Sequence, residues 1–267
     1  MFNADVRPRG ELGLVVKRRG ESRRGRFTRY GQATTDRVTV RAAGREWGLP
    51  VWPVRWARTV AMLARVGWDG LPHWGLDQEA RAYRMKNLRL FVPAYLRFSV
   101  AAWAAFLIRL PFLCGQLRLE VTRADGRRVD LGLVGLRVVT TTGVNFIVDA
   151  FQNTTEVENL KFHGFGTGAA AEAVGNTTLT TELTTEYATD NIRPTGTTAE
   201  GASANIYQTV ATLDPDAAVA ITEHGIFSQA ATGGGTMVDR TLFSVINLAA
   251  SGDTLQATYE LTFSSGG

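Results

Sequence analysis

The chain has 267 residues, with 29 Lys and Arg against 25 Asp and Glu, three His and one Cys. A single cysteine excludes an internal disulfide and a zinc site built on several thiolates. The length suits one large domain or two ordinary ones.

The charge is unevenly distributed along the chain. Residues 1–140 carry 26 basic and 11 acidic side chains, a balance of +15, whereas residues 141–267 carry 3 and 14, a balance of −11. All six Trp also lie in the first part. This break in composition predicts two regions, a basic and partly helical N-terminal region at 1–112 and a mainly β domain at 113–267.

The N-terminal end of the chain contains blocks of Arg with Gly and Ser, as in VKRRGESRRGRFTRYG. Such blocks are typically solvated and mobile. One interpretation is phosphate binding, to nucleic acid or to anionic lipid. The other, which we favour, is docking on an acidic protein surface, either the chain's own β-domain or another subunit. The predicted docking patch consists of five arginines: Arg18, Arg19, Arg23, Arg24 and Arg26.

Two helices are predicted next. The first runs from Pro53 to Val66, with Pro at the first helical position and Gly67 as the C-terminal cap. The second begins after Asp77, a suitable N-cap. Residues 91–113 are the most apolar window of the chain. Within it, residues 98–108 are uncharged, but this stretch is only about half as long as the ~20 residues needed to span a bilayer. We therefore expect a buried or oligomer-facing helix, with a membrane segment as the alternative.

The residues that follow are predicted to form mainly β-strands. Gln116 to Val139 predicts a hairpin around the turn Asp125-Gly126. Thr142 is expected to cap a short helix, and Leu160 to Phe165 is a further strand candidate. The Thr-rich segment 176–200 predicts a long surface loop with one helical turn.

Four strand-like runs end the chain, separated by Asp-Pro-Asp, triple-Gly and Ser-Gly-Asp turns. They are ANIYQTVATL (204–213), AVAITEHGIFSQ (218–229), TMVDRTLFSVINLA (236–249) and DTLQATYELTF (253–263). In the last run every second residue is apolar, from Leu255 to Phe263, which is typical of a half-buried antiparallel strand. The spacing predicts an antiparallel β-sandwich or barrel with one short helix.

Few residues suggest chemistry. The spacing of Gly164, Gly166 and Gly168 is not that of a phosphate loop, so a bend or a close backbone approach is expected there. The three histidines are not spaced as metal ligands. Glu223 and His224 are neighbours on a strand and point to opposite faces, so His224 is expected outward or at an interface. We predict no catalytic, cofactor-binding or metal-binding residue, and a protein that is not an enzyme.

The better interpretation of Glu223 is structural. A hairpin turning near residues 232–235 places Glu223 opposite or diagonal to Arg240. Such a structural pair would define the strand register, because a slip of one residue exchanges the two faces of a strand.

Several of these segments carry a resemblance. ITEHGIF (221–227), MVDRTLFSVINL (237–248) and GDTLQATYELTF (252–263), together with VVTTTGVNFIVDAFQNTTE (138–156) and LKFHGFGTG (160–168), resemble small structural proteins of tailed bacteriophages. These proteins are described as head decoration or tail-fibre-like. The resemblance covers about residues 116–267.

The resemblance implies a virion protein whose partners are its own copies and other capsid or tail proteins. A capsid decoration role is favoured over a tail or tail-fibre adaptor, because the chain lacks heptads and collagen-like repeats. A nucleic-acid or membrane-surface binding protein that uses the Arg-rich region is the alternative of another class, with membrane binding the less expected of the two. A glycan-binding tip would need exposed loop aromatics, and residues 176–203 offer only Tyr187.

Overall fold

The computed structural model describes residues 13–17, 37–42, 45–108, 112–156, 160–250 and 252–264. These residues form three helices and eleven strands. The elements are β1 (Gly13–Lys17), β2 (Arg37–Ala42), β3 (Arg45–Pro50), α1 (Val51–Gly70), α2 (Gln78–Ile108), β4 (Phe112–Thr122), β5 (Arg128–Val139), α3 (Thr141–Phe151), β6 (Phe162–Gly166), β7 (Thr197–Glu200), β8 (Ile206–Leu213), β9 (Val219–Phe227), β10 (Met237–Leu248) and β11 (Thr254–Ser264).

The chain divides into two compact units by its contacts. One contains residues 1–65, 99–112 and 264–267, and the other contains residues 66–98 and 113–263. In the first unit, β1, β2 and β3 form a small antiparallel sheet in that order. The second unit contains the other eight strands together with the first two-thirds of α2, so that part of α2 belongs to the β-domain.

The eight strands of the second unit are hydrogen-bonded in the order β6-β9-β10-β5-β4-β11-β8-β7. They divide into a sheet of five strands, β5-β4-β11-β8-β7, and a sheet of three, β6-β9-β10. Only the end of β5 joins the two sheets, through the pairs Asp239↔Val139 and Arg240↔Val138. On the other side, Phe162 at the start of β6 forms an antiparallel bridge with Thr195, just before β7. The prediction of a mainly β, antiparallel domain is confirmed.

The core lies between these sheets and follows the sequence alternation. Leu255, Ala257, Tyr259 and Leu261 of β11 are all buried, whereas Phe263 at the end of the run is 43% exposed. Burial of each larger apolar side chain stabilises the fold by about 1.5–3 kcal/mol. The main cluster also includes Ala80 and Tyr83 of α2, so this helix completes the core that the strands begin.

Polar side chains of α2 hold it against the gap between β5 and β10. Asn87 Nδ2 donates to the Val134 carbonyl at 2.8 Å, and Asn87 Oδ1 accepts from the Ser244 N–H at 2.8 Å. Arg84 Nε donates to the Leu131 carbonyl at 3.0 Å. At this point the hydrogen-bond ladder between β5 and β10 has ended. The carboxamide of Asn87 takes its place, because it bonds the Val134 carbonyl of β5 and the Ser244 N–H of β10, so both backbone groups have a partner.

The helix boundaries correct two predicted caps and the predicted start of α1. α1 begins at Val51 and passes Gly67, whose carbonyl accepts from the Leu71 N–H at 2.9 Å and so continues the helix. α3 is capped by Thr140 and not by Thr142, because Thr140 Oγ1 accepts from the Gly143 N–H at 2.9 Å. Asp77 does precede α2, and its carboxylate accepts from the Glu79 N–H at 3.3 Å.

Candidate functional site

A segment of 30 residues connects β6 to β7 and lies against β9 and β10. We call this segment, residues 167–196, the clamped loop. It contains no helix and no named strand. Isolated bridges tie it to β6 at Glu182 and Thr195, and to the connections on either side of β9 at Tyr187 and Ile192. Loops of this length without secondary structure are uncommon in compact domains and are often functional, so what holds it in place is informative.

Glu223 of β9 is the first clamp. Its carboxylate is completely buried and accepts from the backbone N–H groups of Gly168 at 3.1 Å, Thr180 at 3.1 Å and Thr181 at 2.8 Å. A carboxylate oxygen is a strong acceptor for backbone N–H groups. One side chain therefore bonds two separate stretches of the clamped loop.

Arg240 of β10 balances the charge of Glu223. Its Nη2 lies 2.6 Å and its Nε 2.8 Å from Glu223 Oε2. Its other donors reach the loop, with Nη2 bonding the Ala170 carbonyl at 2.9 Å and Nη1 the Ala171 carbonyl at 3.2 Å. The register pairs Glu223 with Leu242 and Arg240 with Gly225, so the two charged residues are diagonal neighbours in the ladder.

Glycines at the start of the clamped loop and just before it allow this approach. A Cβ at Gly168 would collide with Glu223 Oε1 and with Thr180 Cβ, and one at Gly166 would collide with the Thr181 carbonyl. Only glycine brings the backbone close enough for its N–H to reach the carboxylate. The Gly-x-Gly-x-Gly run thus serves close backbone packing.

Arg193 is the second clamp, at the far end of the loop. Its guanidinium forms a bidentate pair with Glu182, with distances of 2.5 and 2.9 Å. Nη1 of Arg193 also donates to the carbonyls of the turn between β9 and β10, at Gln229, Ala231 and Gly234. The Phe227 ring lies 3.6 Å below the guanidinium carbon. A planar fork of five donors fits such a set of acceptors better than an ammonium group would.

Part of the clamped loop belongs to the interior. Leu179, Leu183 and Tyr187 are buried, and Tyr187 Oη accepts from the Phe165 N–H at 2.9 Å. The prediction of a surface loop is right for most of its side chains, which are exposed, but these three point inward, and the predicted helical turn is absent from the described loop. The outward side is rich in threonine. Its exposed hydroxyl side chains are Thr167, Thr177, Thr178, Thr180, Thr181, Thr184, Thr185, Thr189 and Thr195.

A second polar network lies on the opposite face of β9. Arg137 Nη1 is 2.8 Å from His224 Nδ1, His224 Nε2 is 3.0 Å from His163 Nδ1, and His163 Nε2 is 3.3 Å from Thr209 Oγ1. Because a guanidinium only donates, His224 Nδ1 must accept and its proton must lie on Nε2. The same reasoning places the proton of His163 on Nε2. The chain of donors therefore runs in one direction, from Arg137 through both histidines to Thr209.

Both histidines of this network are neutral. Burial lowers the pKa of His163 to about 3, with a further contribution from the Arg137 charge. Burial, Arg137 and then His163 lower the pKa of His224 well below its ordinary value. The expectation that His224 points outward is wrong. It is completely buried, because the face of β9 opposite Glu223 is also covered.

Asp239 supplies the negative charge of this network. Arg137 Nη2 lies 2.5 Å from Asp239 Oδ1, and neither side chain is exposed. Burial raises the pKa of Asp239, and the nearby Arg137 opposes that rise. An arginine carries its charge at any ordinary pH, so it needs the carboxylate as a buried partner.

These arrangements use their charged groups in structural bonds. Within the described ranges, no three His, Cys, Asp or Glu side chains are grouped as metal ligands. Burial raises the pKa of the Cys114 thiol to about 12, which disfavours the reactive thiolate. The predicted docking arginines at 18–26 lie outside the described residues.

The sequence prediction found Glu223 and Arg240, and the structure places them in direct contact. It did not find Glu182 with Arg193, Arg137 with Asp239, or Asn87. One signal was present: residues 141–267 contain only three basic side chains. Two of them, Arg193 and Arg240, are the buried clamps, and an isolated arginine in an acidic, Thr-rich stretch is a candidate for such a role.

Comparison with known proteins gives no relative: no protein-family model, no curated protein and no solved structure matches this chain. The fold and the site define an antiparallel β-domain that holds a long polar loop with buried ion pairs.

Proposed function

We propose that this chain is a non-enzymatic structural protein of a tailed-phage particle, which docks through the clamped loop as a capsid decoration or accessory protein. The resemblance of residues 116–267 to such virion proteins motivates the proposal. The observation that carries it is the clamped loop, which is 30 residues long. The buried Arg240 bonds one end of it to β10, and the buried Arg193 bonds the other end to the β9–β10 turn.

A loop held in this way is suited to docking. Ordering the backbone of a residue costs about 1–2 kcal/mol, and a flexible loop would bear that cost when it binds. Here the clamped loop is already ordered when the protein folds. A partner would therefore bind a preorganised surface, and binding would not include the cost of ordering the loop. The exposed threonine hydroxyls both donate and accept hydrogen bonds, which suits polar contacts repeated over many copies.

Particle incorporation tests the proposal. Particles encoded by the same genome would be purified on a density gradient and analysed for the chain by mass spectrometry. We expect the wild-type chain in the particles. Replacing Thr184 and Thr185 with Arg should remove it, because two bulky cations would disrupt the loop surface. The matched control is Thr212→Arg, an exposed position on β8, which should incorporate normally.

The position of the chain on the particle distinguishes capsid decoration from a tail or tail-fibre role. Gold-labelled antibody on the heads supports capsid decoration, whereas label on the tails supports the tail or tail-fibre adaptor. Absence of the chain from purified particles, or equal incorporation of the loop variant and the wild type, would refute docking through the clamped loop.

A further inference from the structure

Large apolar side chains are exposed at the end of α1, in the turn that follows it and along α2. Trp74 is 90% exposed and Trp68 is 62% exposed, and Met85 and Leu96 are both more than half exposed. If a large side chain presents about 200 Å², these four together leave roughly 500 Å² of apolar surface in water. Apolar side chains exposed to this extent are candidates for an interaction surface.

Two of these side chains, Met85 and Leu96, lie on the side of α2 that faces away from the β-domain. The buried side chains Ala80, Tyr83, Asn87, Phe91 and Phe98 form one stripe. At 3.6 residues per turn, Met85, Arg89 and Leu96 lie on the opposite side. α2 thus buries one apolar stripe against the β-domain and exposes apolar side chains on the opposite side.

Cations accompany the exposed apolar side chains. α2 carries five basic residues, Arg81, Arg84, Lys86, Arg89 and Arg97, against one acidic residue, Glu79, a balance of +4. Four of the five are exposed, Arg84 being the exception. The Arg81 guanidinium lies over the Trp74 ring at 5.2 Å. An exposed tryptophan beside basic side chains is typical of a surface that lies at the boundary of an anionic bilayer.

The helix as a whole supports the same partner. Of the described residues, α2 is the one helix long and apolar enough to cross a membrane by length and composition, and only 22% of its most apolar window is buried. Asn87 and Arg84 bond the backbone of β-strands, so the first part of α2 is held against the β-domain. In that part lipid can reach only the outer side, with the helix lying in the plane of the membrane surface.

We propose that the outer face of α2 and the preceding turn form a docking surface for an anionic lipid bilayer. The apolar side chains would enter the headgroup boundary, and Lys86, Arg89 and Arg97 would meet lipid phosphates. A nucleic acid would use the cations but gain nothing from the exposed Met85 and Leu96. Membrane binding of this kind does not depend on the proposed virion role.

Vesicle flotation with the full chain tests this surface. Vesicles of phosphatidylcholine with about one third phosphatidylglycerol should carry the chain at low salt and less of it at high salt. Vesicles of phosphatidylcholine alone should carry little. The double variant Trp74→Ser, Leu96→Ser should partition at least about tenfold more weakly, and Arg89→Gln about fivefold more weakly. The positions are exposed, so melting temperatures should match that of the wild type.

Matched controls make the result specific. Phe151→Ser removes an aromatic side chain that is 80% exposed on α3, and Arg128→Gln removes a cation exposed on the β4–β5 hairpin. Both should partition like the wild type. No flotation of the wild type, or equal losses in the controls, overturns the proposal. Binding to duplex DNA or self-association that these α2 substitutions abolish, without vesicle binding, assigns the surface to that partner instead.

Discussion

Replacing Glu223 with Ala should be among the most costly single substitutions in the β-domain. It removes the acceptor of three backbone N–H groups in the clamped loop and leaves the charge of Arg240 buried without its carboxylate. An orphaned buried donor costs about 1–3 kcal/mol, and breaking a buried ion pair from one side costs about 3–5 kcal/mol. Since the loop can relax in part, we expect a loss of about 3–5 kcal/mol in the free energy of unfolding.

Urea and thermal unfolding of the full chain measure this loss. For a domain of this size the melting temperature should fall by roughly 6–20 °C. A double-mutant cycle with Arg240→Ala should give a coupling energy above about 1 kcal/mol. The control is Glu120→Ala, which breaks a surface pair with Arg128 at 3.8 Å and should change stability by no more than about 0.5 kcal/mol.

Hydrogen exchange shows where the loss arises. The amides of Gly168, Thr180 and Thr181 should exchange faster in Glu223→Ala, while amides in the β8–β11 ladder keep their protection relative to global unfolding. The reasoning would be refuted by additive effects in the cycle, or by unchanged protection of these three amides.

Three further outcomes follow from the buried contacts. Asn87→Ala should lower the free energy of unfolding by about 2–4 kcal/mol in urea titrations, because a backbone N–H and a carbonyl lose their partners. Lowering the pH from 7.5 to 5 should also destabilise the fold. The unfolded chain binds protons at His163 and His224 below about pH 6.5, whereas burial keeps both neutral in the fold. Below that pH, each histidine should therefore lower the free energy of unfolding by about 1.4 kcal/mol per pH unit. The raised pKa of Asp239 acts in the opposite direction, and constant urea midpoints over this range would contradict the histidine assignment. A fragment 113–267 should lack a cooperative melt by circular dichroism, since it lacks the α2 residues that complete the core, and a sharp transition would show that they are dispensable.

Local patterns in the sequence predicted most of the β-domain. Alternation of apolar and polar side chains placed β8 to β11 within two residues of their observed ends. The Asp125-Gly126 turn was correctly placed between β4 and β5, and Gly126 has the positive φ of 81° that such a turn needs. The pairing of Glu223 with Arg240 followed from the turn position, because register is a local property of a hairpin.

Contacts between distant segments could not be predicted in this way. Asn87 bonds Ser244, 157 residues away, and Arg137 bonds His224, 87 residues away. In the sequence alone, Asn87 is one polar residue on a mostly apolar helix. Its role depends on the end of the β5–β10 ladder, which no local pattern encodes. The same holds for the burial of His224, which requires both faces of β9 to be covered.

The charged residues of β9 and β10 determine where the clamped loop lies, more than they determine how stable the domain is. A buried ion pair loses hydration in both partners, so apolar side chains of similar volume often stabilise a fold as well or better. Apolar residues would, however, offer no acceptor to the N–H groups of Gly168 and Thr181 and no donor to the carbonyl of Ala170. The backbone of this loop has no ladder of its own to satisfy these groups. Glu223 and Arg240 replace that ladder, which is why a segment without helix or strand keeps one conformation and can present the same surface in every copy.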